Sequence, residues 1–150
     1  MDIELLSYER RSIYNFFWKQ TEFVMKPAPS PPPALTDSGI VAKALVRGAD
    51  KLRVSNRALA RIIGVSEASV SRLKKGDYPL DANQKPFQLA VLFVRLYRSL
   101  DALAGGDDGV SATWLSSPNT ALDGIPLELV QSVSGLVNVI DYLDARRAIV

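Results

Sequence analysis

The stretch from Leu59 to Leu73, LARIIGVSEASVSRL, has the spacing of two short helices joined by a tight turn. Ala60 is small where the second helix has to approach the first. Gly64 stands where the first helix ends and the backbone needs a positive φ angle. Ser66 is a residue type that favours the start of the second helix. The spacing therefore predicts a helix-turn-helix, with residues 66–75 as its recognition helix.

The outward positions of this motif are candidates for contact with DNA. The Arg72 guanidinium suits guanine and the Glu67 carboxylate suits cytosine, while basic flanks suit phosphates. The same motif can also serve only as a scaffold, because Glu67 repels phosphate and Ala68 offers no hydrogen bond. The candidate DNA-binding residues are Arg57, Ser66, Glu67, Ala68, Ser71, Arg72, Lys74 and Lys75.

The composition excludes several function classes. A chain of 150 residues with 47% hydrophobic content fits one compact domain or a small domain with appendages. It has no cysteine for disulfides or thiolate metal sites, and no histidine to act as general base or metal ligand. It also lacks a glycine-rich phosphate loop and paired catalytic carboxylates. We therefore expect no enzyme activity, no cofactor and no metal site.

The ends and apolar stretches predict a cytoplasmic protein without a membrane partner. The start, MDIELLSYERR, is acidic and lacks the basic lead and apolar core of a signal peptide. The longest apolar stretch is interrupted by Arg95 and Arg98 and is too short to span a bilayer.

The charge is unevenly distributed along the chain. Residues 37–100 carry twelve Lys and Arg against five Asp and Glu, a local charge of +7. Residues 101–150 carry two Arg against seven acidic residues, a local charge of −5. This asymmetry favours a basic middle that faces a polyanion and an acidic end that faces another partner, although two differing solvated surfaces would also produce it.

The chain is expected to be all-α, a helical bundle with a helix-turn-helix core and a small C-terminal helical domain. An aromatic stretch with helical spacing is followed by KPAPSPPPA, from Lys26 to Ala34, which predicts an extended spacer or, alternatively, a proline-rich ligand. The predicted domains are an N-terminal extension over residues 1–34, the helix-turn-helix domain over 35–104 and the C-terminal domain over 105–150.

Apolar stripes place the remaining helices. Before the motif, the predicted stripe joins Ile40, Ala44 and Leu45. After it, a long helix from Pro86 to about Leu103 has an apolar face that Val91 and Val94 widen. A short segment follows around Trp114, and Pro126 suits the first position of a helix. The stripes of the last two long helices are Leu89, Leu92, Phe93, Leu96, Leu100 and Leu103, and then Leu136, Val137, Ile140 and Leu143.

The chain resembles a known family over residues 35–150, and the last quarter carries the matching motifs. The segment WLSSPNTALDGIPLELVQSVSGLVNVIDYLDARRAIV looks like the C-terminal toxin-binding domain of the Xre/MbcA/ParS-type antitoxins. In that family the domain follows an Xre-like helix-turn-helix, which is the order found here. The pieces that match are Trp114-Leu115, Pro118-Asn119, Ala121-Leu122, Gly124, Pro126, Gly135 and the arginine-containing end.

The resemblance implies an antitoxin that binds a RES-domain toxin, which consumes NAD. It further implies that the C-terminal end lies in the NAD-binding cleft of the toxin, and that the complex represses its own operon. A homodimer on operator DNA within a larger toxin-antitoxin complex is the expected assembly. The toxin-binding residues implied in this way are Trp114, Asn119, Arg146, Arg147, Ile149 and Val150.

Simpler structural roles exist for the same residues. Trp114 suits a core anchor, Pro118, Gly124 and Pro126 suit turns, and Arg146 and Arg147 oppose the helix dipole. The end RRAIV also places a carboxylate beside two guanidinium groups, and a carboxylate can occupy a site built for phosphate. The alternative to an antitoxin is a stand-alone Xre-like DNA-binding regulator whose C-terminal half dimerises or senses a ligand.

Overall fold

The computed structural model describes residues 37–148, which all lie in one compact unit. The predictions for the aromatic stretch, the proline-rich spacer, Ile149 and Val150 concern residues outside this part. Seven helices make up the described residues: α1 Asp37–Lys51, α2 Asn56–Ile63, α3 Glu67–Lys75, α4 Lys85–Leu103, α5 Asp108–Ser116, α6 Pro126–Leu129 and α7 Val133–Arg147.

The all-α prediction is confirmed. Within residues 37–148 no strand forms, and the β-type pairing there is an isolated antiparallel bridge between Asn119 and Gly124. Pro126 stands at the start of α6, as its fixed φ angle and missing N–H predict.

The long helix α4 is the centre of the fold. It packs against α1 and α2, which precede it in the chain, and against α7, which follows it. Its stripe of fully or nearly fully buried residues, which includes Phe93 and Leu96, supplies apolar surface to all these neighbours. Because burial of such side chains is the main favourable term in folding, α4 joins the helix-turn-helix to the C-terminal helices. The predicted boundary between residues 104 and 105 falls just after this helix and stays a prediction.

Four predicted core positions are wrong. Ile40 is 50% exposed, Val91 41%, Leu103 37% and Val137 40%. In α7 the buried stripe is Leu136, Val139, Ile140 and Leu143. Val137 lies about 100° around the helix axis from Leu136 and therefore points away from the stripe. In α1 the residue that precedes Leu45 on the buried stripe is the half-buried Val41 and not, as predicted, Ile40. Ile40 therefore faces solvent. Val91 lies on the far side of α4 from Leu89 and Phe93, and Leu103 stands in its last turn.

Candidate DNA-binding and toxin-binding sites

The helix-turn-helix forms as its spacing predicts. Gly64 ends α2 with φ 72°, and its N–H donates to the Ala60 carbonyl at 2.9 Å. Ser66 begins α3, where its hydroxyl accepts the Ser69 N–H at 3.1 Å. These two ends leave a single residue, Val65, between the terminating glycine and the cap. The short turn forces α2 and α3 into contact.

The predicted DNA-binding residues lie together on the accessible side of this motif. α3 buries only Ser69, Val70 and Leu73 against the rest of the fold. The opposite side of α3, together with Arg57 in the first turn of α2, therefore faces solvent and is free to approach a nucleic acid. All eight candidates are exposed: Arg57, Ser66, Glu67, Ala68, Ser71, Arg72, Lys74 and Lys75.

Lys74 differs from the other basic candidates. Its ammonium group forms an ion pair with Asp50 of α1 at 2.8 Å. This ion pair neutralises the Lys74 charge and draws the side chain toward α1. Lys75, the next residue, has no ion pair with another residue in the range 37–148 and keeps its charge for a partner.

Arg72 has two neighbours that hold its guanidinium. It donates to the Ser69 hydroxyl at 3.3 Å, and its guanidinium carbon lies 5.8 Å from the ring centroid of Tyr78. A cation over an aromatic face is attracted to the ring, so Tyr78 restricts the rotamers of Arg72. A guanidinium restricted in this way loses less entropy when it binds a base edge.

Two of the C-terminal candidates, Trp114 and Arg146, meet around Tyr142, an α7 residue that sequence reasoning missed. The ring of Trp114 stacks with Tyr142, with centroids 6.2 Å apart and planes 18° apart. The Arg146 guanidinium carbon lies 5.1 Å from the centroid of Tyr142. Beside this stack runs a shallow apolar groove of about 210 Å³, bordered also by Leu103 and Val110. Trp114 is half-buried, so its anchoring role is compatible with an accessible edge.

Asn119 lies in the loop between α5 and α6, and its side chain is used there. Its Oδ1 accepts the N–H groups of Ala121 at 2.9 Å and Leu122 at 3.2 Å. Its own N–H donates to the Gly124 carbonyl at 2.8 Å. Asn119 therefore shapes its own turn, whereas Trp114 and Arg146 share a neighbour in Tyr142.

Arg147 belongs to a polar cluster between α4 and α7. Its guanidinium donates to the Ser99 hydroxyl at 3.3 Å, and that hydroxyl donates to Asp144 at 2.8 Å. Arg95 pairs with the second oxygen of the Asp144 carboxylate. The Ser99 hydroxyl and, next, the Arg95 guanidinium hold the pKa of Asp144 below its ordinary value. We call Arg95, Ser99, Asp144 and Arg147 the α4–α7 polar cluster.

The sequence contains weak signals for Ser99 and Tyr142, the two residues that sequence reasoning missed. Ser99 is a serine inside the apolar stripe of α4, between Leu96 and Leu100, which is a position that predicts a polar partner. Tyr142 precedes Arg146 by four residues, the spacing of neighbours on a helix surface. The spacing of residues along the sequence did not indicate which residue of another helix Ser99 or Tyr142 contacts.

A third ion pair joins α1 to α5. The Lys51 ammonium at the end of α1 contacts both carboxylate oxygens of Asp108, in the first turn of α5, at 2.9 and 3.0 Å. Hydrogen bonding to Asp108 raises the pKa of Lys51. Asp108 is in addition an acidic residue in the first turn of a helix, where the helix dipole stabilises a negative charge.

Neither a metal cluster nor a membrane span is found in the described range. No group of three or more His, Cys, Asp or Glu side chains among residues 37–148 is arranged to hold a metal ion. None of the helices in this range has the length and apolar character needed to cross a membrane.

Two family models match the chain, and together they span most of it. The antitoxin Xre-like helix-turn-helix domain matches residues 32–95. The antitoxin Xre/MbcA/ParS C-terminal toxin-binding domain matches residues 99–148. No individual curated protein matches the chain. Both matches fall on the geometry described above, the first on α1–α3 and most of α4, the second on the end of α4 and α5–α7.

The protein is therefore an antitoxin of a toxin-antitoxin system, with a helix-turn-helix and a toxin-binding part. The chain belongs to the Xre/MbcA/ParS-type antitoxins. Its partners are accordingly a toxin, which the C-terminal part binds, and DNA, which the helix-turn-helix binds.

Proposed function

We propose that this antitoxin neutralises a RES-domain toxin that consumes NAD, by blocking the active site of the toxin with its C-terminal end. We also propose that it binds the promoter of its own operon as a homodimer and represses transcription. The toxin class follows from the family that the C-terminal third resembles. Both matched families are binding domains, and the proposal assigns the chain no reaction of its own.

The observation that carries the inhibitory part is the position of the last turn of α7. Residues 145–148 are all exposed, and Arg146 and Arg147 place two guanidinium groups there. An NAD-binding cleft has to accommodate phosphates and aromatic rings. The apolar residues Ile149 and Val150 follow this exposed turn in the sequence, and an end of this length has the size to enter the ring-binding part of such a cleft.

The observation that supports the repressor part is the exposed basic side of the helix-turn-helix. Arg57, Arg72 and Lys75 are exposed on α2 and α3. Helix-turn-helix proteins read the major groove as two-fold dimers whose half-sites lie about 34 Å apart. An inverted repeat in the promoter is the expected operator.

Two truncations test the inhibitory part. Deletion of residues 148–150 keeps α7 whole, whereas deletion of 146–150 also removes Arg146 and Arg147 with their contacts to Tyr142 and Ser99. We expect both truncated proteins to bind the toxin in a pull-down and to fail to protect the NAD level of cells that express the toxin. A bulky C-terminal tag should act in the same way. If the 146–150 truncation binds the toxin and keeps NAD at the parental level, inhibition comes from the body of the domain.

The same experiments separate the antitoxin from a stand-alone regulator with a ligand-sensing half. A co-expression pull-down with mass spectrometry should recover a RES-domain protein with the full chain. Recovery of the promoter DNA without any toxin would favour the regulator.

A further inference from the structure

The contact between α4 and α7 changes from apolar to polar near the C-terminal end. Along most of its length α7 buries Leu136, Val139, Ile140 and Leu143 against its neighbours. In the next turn of α7, Asp144 and Arg147 instead contact the hydroxyl of Ser99 in α4, a residue that is 1% exposed. A polar contact has directional requirements that an apolar one lacks, so it determines how the last turn is oriented.

The Ser99 hydroxyl uses both of its hydrogen-bonding capacities in this contact. It donates to Asp144 Oδ1 at 2.8 Å and accepts from Arg147 at 3.3 Å. Arg95 occupies the other oxygen of the Asp144 carboxylate. Because a buried hydroxyl is costly to leave unpaired, the positions of Asp144 and Arg147 are coupled through Ser99.

The last turn has few other attachments. Residues 145–148 are exposed. Arg146 lies over the Tyr142 ring, and the Ala148 N–H donates to the Asp144 and Arg146 carbonyls within the helix. An exposed helix end with so few contacts frays readily. The α4–α7 polar cluster is therefore the main restraint on the point from which the chain continues beyond residue 148.

We propose that Ser99, Asp144 and Arg147 are positioning residues for the inhibitory C-terminal end, and that Arg147 acts through Ser99 and not through contact with the toxin. This inference rests on the proposed function. It assigns the two neighbouring arginines different roles: Arg147 orients the last turn, and Arg146, over the Tyr142 ring, is the one beside the apolar groove.

The test measures the NAD consumption that remains when the toxin is saturated with full-length antitoxin. The toxin is the RES-domain protein that the co-expression pull-down recovers with the full chain. The variants are Ser99→Ala, Arg147→Ala, the double variant and Asp144→Asn, with Arg98→Ala as the matched control. Arg98 and the α4–α7 polar cluster line one cleft between α4 and α7, and Arg98 is not a member of the cluster. Partial unfolding changes how much antitoxin is needed to saturate the toxin, but it does not change the plateau, so the plateau reports positioning.

We expect Ser99→Ala and Arg147→Ala to raise the residual plateau by similar factors, roughly tenfold above the parent, since a lost hydrogen bond to a charged group shifts a local equilibrium by about that much. The double variant should match the single variants, because the two residues act as one unit. Asp144→Asn should raise the plateau as well, and Arg98→Ala should keep the parental plateau.

Two results separate failure of this inference from failure of the proposed function. If the parent inhibits the toxin and Ser99→Ala has the parental plateau while Arg147→Ala does not, Arg147 contacts the toxin directly and the inference is wrong. If the parent itself leaves NAD consumption unchanged, the proposed function fails and the inference fails with it.

Discussion

Arg72 in the recognition helix lies over the ring of Tyr78, a residue that follows the helix, with 5.8 Å between guanidinium carbon and ring centroid. The pairing links a candidate base-reading side chain to the loop after α3. Tyr78 is half-buried, packs against the core and borders a groove of about 690 Å³ between α1 and α3. The guanidinium is thus held at the surface before any DNA is bound.

The first prediction concerns this pairing and DNA specificity. Arg72→Ala should weaken binding to the promoter and relax specificity at one base position, because a bidentate contact with a base contributes roughly 1–3 kcal/mol of discrimination. Tyr78→Leu should have a smaller effect in the same direction, and Tyr78→Phe, which keeps the ring, should bind like the parent. Mobility shifts on the promoter and on scrambled duplex measure both. Unchanged shifts for Arg72→Ala would mean that the motif is kept only as a scaffold.

The second prediction compares the adjacent lysines at the end of α3. Lys75→Ala should weaken binding to all sequences alike and lower the slope of log K against log salt by about 0.9, the value for one phosphate contact. Lys74→Ala should lower the slope by less, because Asp50 already neutralises the Lys74 charge. Titrations at several salt concentrations measure the slopes. Equal slopes for the two variants would contradict the different roles assigned to them.

The third prediction concerns the turn between α2 and α3. Gly64 has φ 72°, a conformation that β-branched residues rarely adopt, so Gly64→Val should destabilise the fold by roughly 1–3 kcal/mol. Gly64→Asn should cost less, because asparagine tolerates this region. Ala60→Leu should cost a similar 1–3 kcal/mol by overpacking, since Ala60 is 6% exposed where the helices meet. Thermal melts that match the parent for both Gly64→Val and Ala60→Leu would refute the inferred helix crossing.

The fourth prediction concerns Gly135, one of the residues that carry the family resemblance. A Cβ built there would overlap the Leu129 carbonyl oxygen and lie 2.7 Å from the carbonyl carbon. Gly135→Ala should therefore push α7 away from α6 and destabilise the protein by about 2 kcal/mol or more. Ser134→Ala, at the exposed neighbouring position of α7, is the control and should remain within about 0.5 kcal/mol of the parent. Urea titrations followed by circular dichroism measure both, and equal midpoints for the two variants would show that the turn adapts.

The fifth prediction concerns acid stability. The pKa of Asp144 is lowered in the folded state from its ordinary 3.8, so the folded state favours the charged carboxylate. The stability that this provides is fully present above the ordinary pKa and is lost as the pH falls through the lower folded value. Asp144→Asn should be less stable than the parent at neutral pH and lose less stability between about pH 5 and pH 2. Asp141→Asn, which removes an exposed carboxylate of the same helix, is the matched control. Parallel curves for Asp144→Asn and the parent would exclude a role for Asp144 in acid unfolding.

The sequence by itself determined the helices and the helix-turn-helix. Their signals are local: Gly64 and Ser66 act within one turn of the backbone, and Pro126 begins a helix because of its own ring. The resemblance of the last third also depends on residues close together along the chain, and it indicated the antitoxin family. The exposed side of α3 followed from helical periodicity alone, and the DNA-binding candidates on it lie at the surface together with Arg57 of α2.

Only the tertiary structure decided which side chains act together. Arg147 and Ser99 are 48 residues apart and lie on two different helices, α7 and α4. Nothing in the spacing near Arg147 indicates a buried hydroxyl partner. The same holds for Lys74 and Asp50, and for Trp114 and Tyr142. Periodicity also misplaced Ile40 and Val137, because an apolar residue beside a stripe is buried only if a neighbouring helix covers it. Backbone geometry is set by adjacent residues, whereas partnership and burial depend on the packing of whole helices.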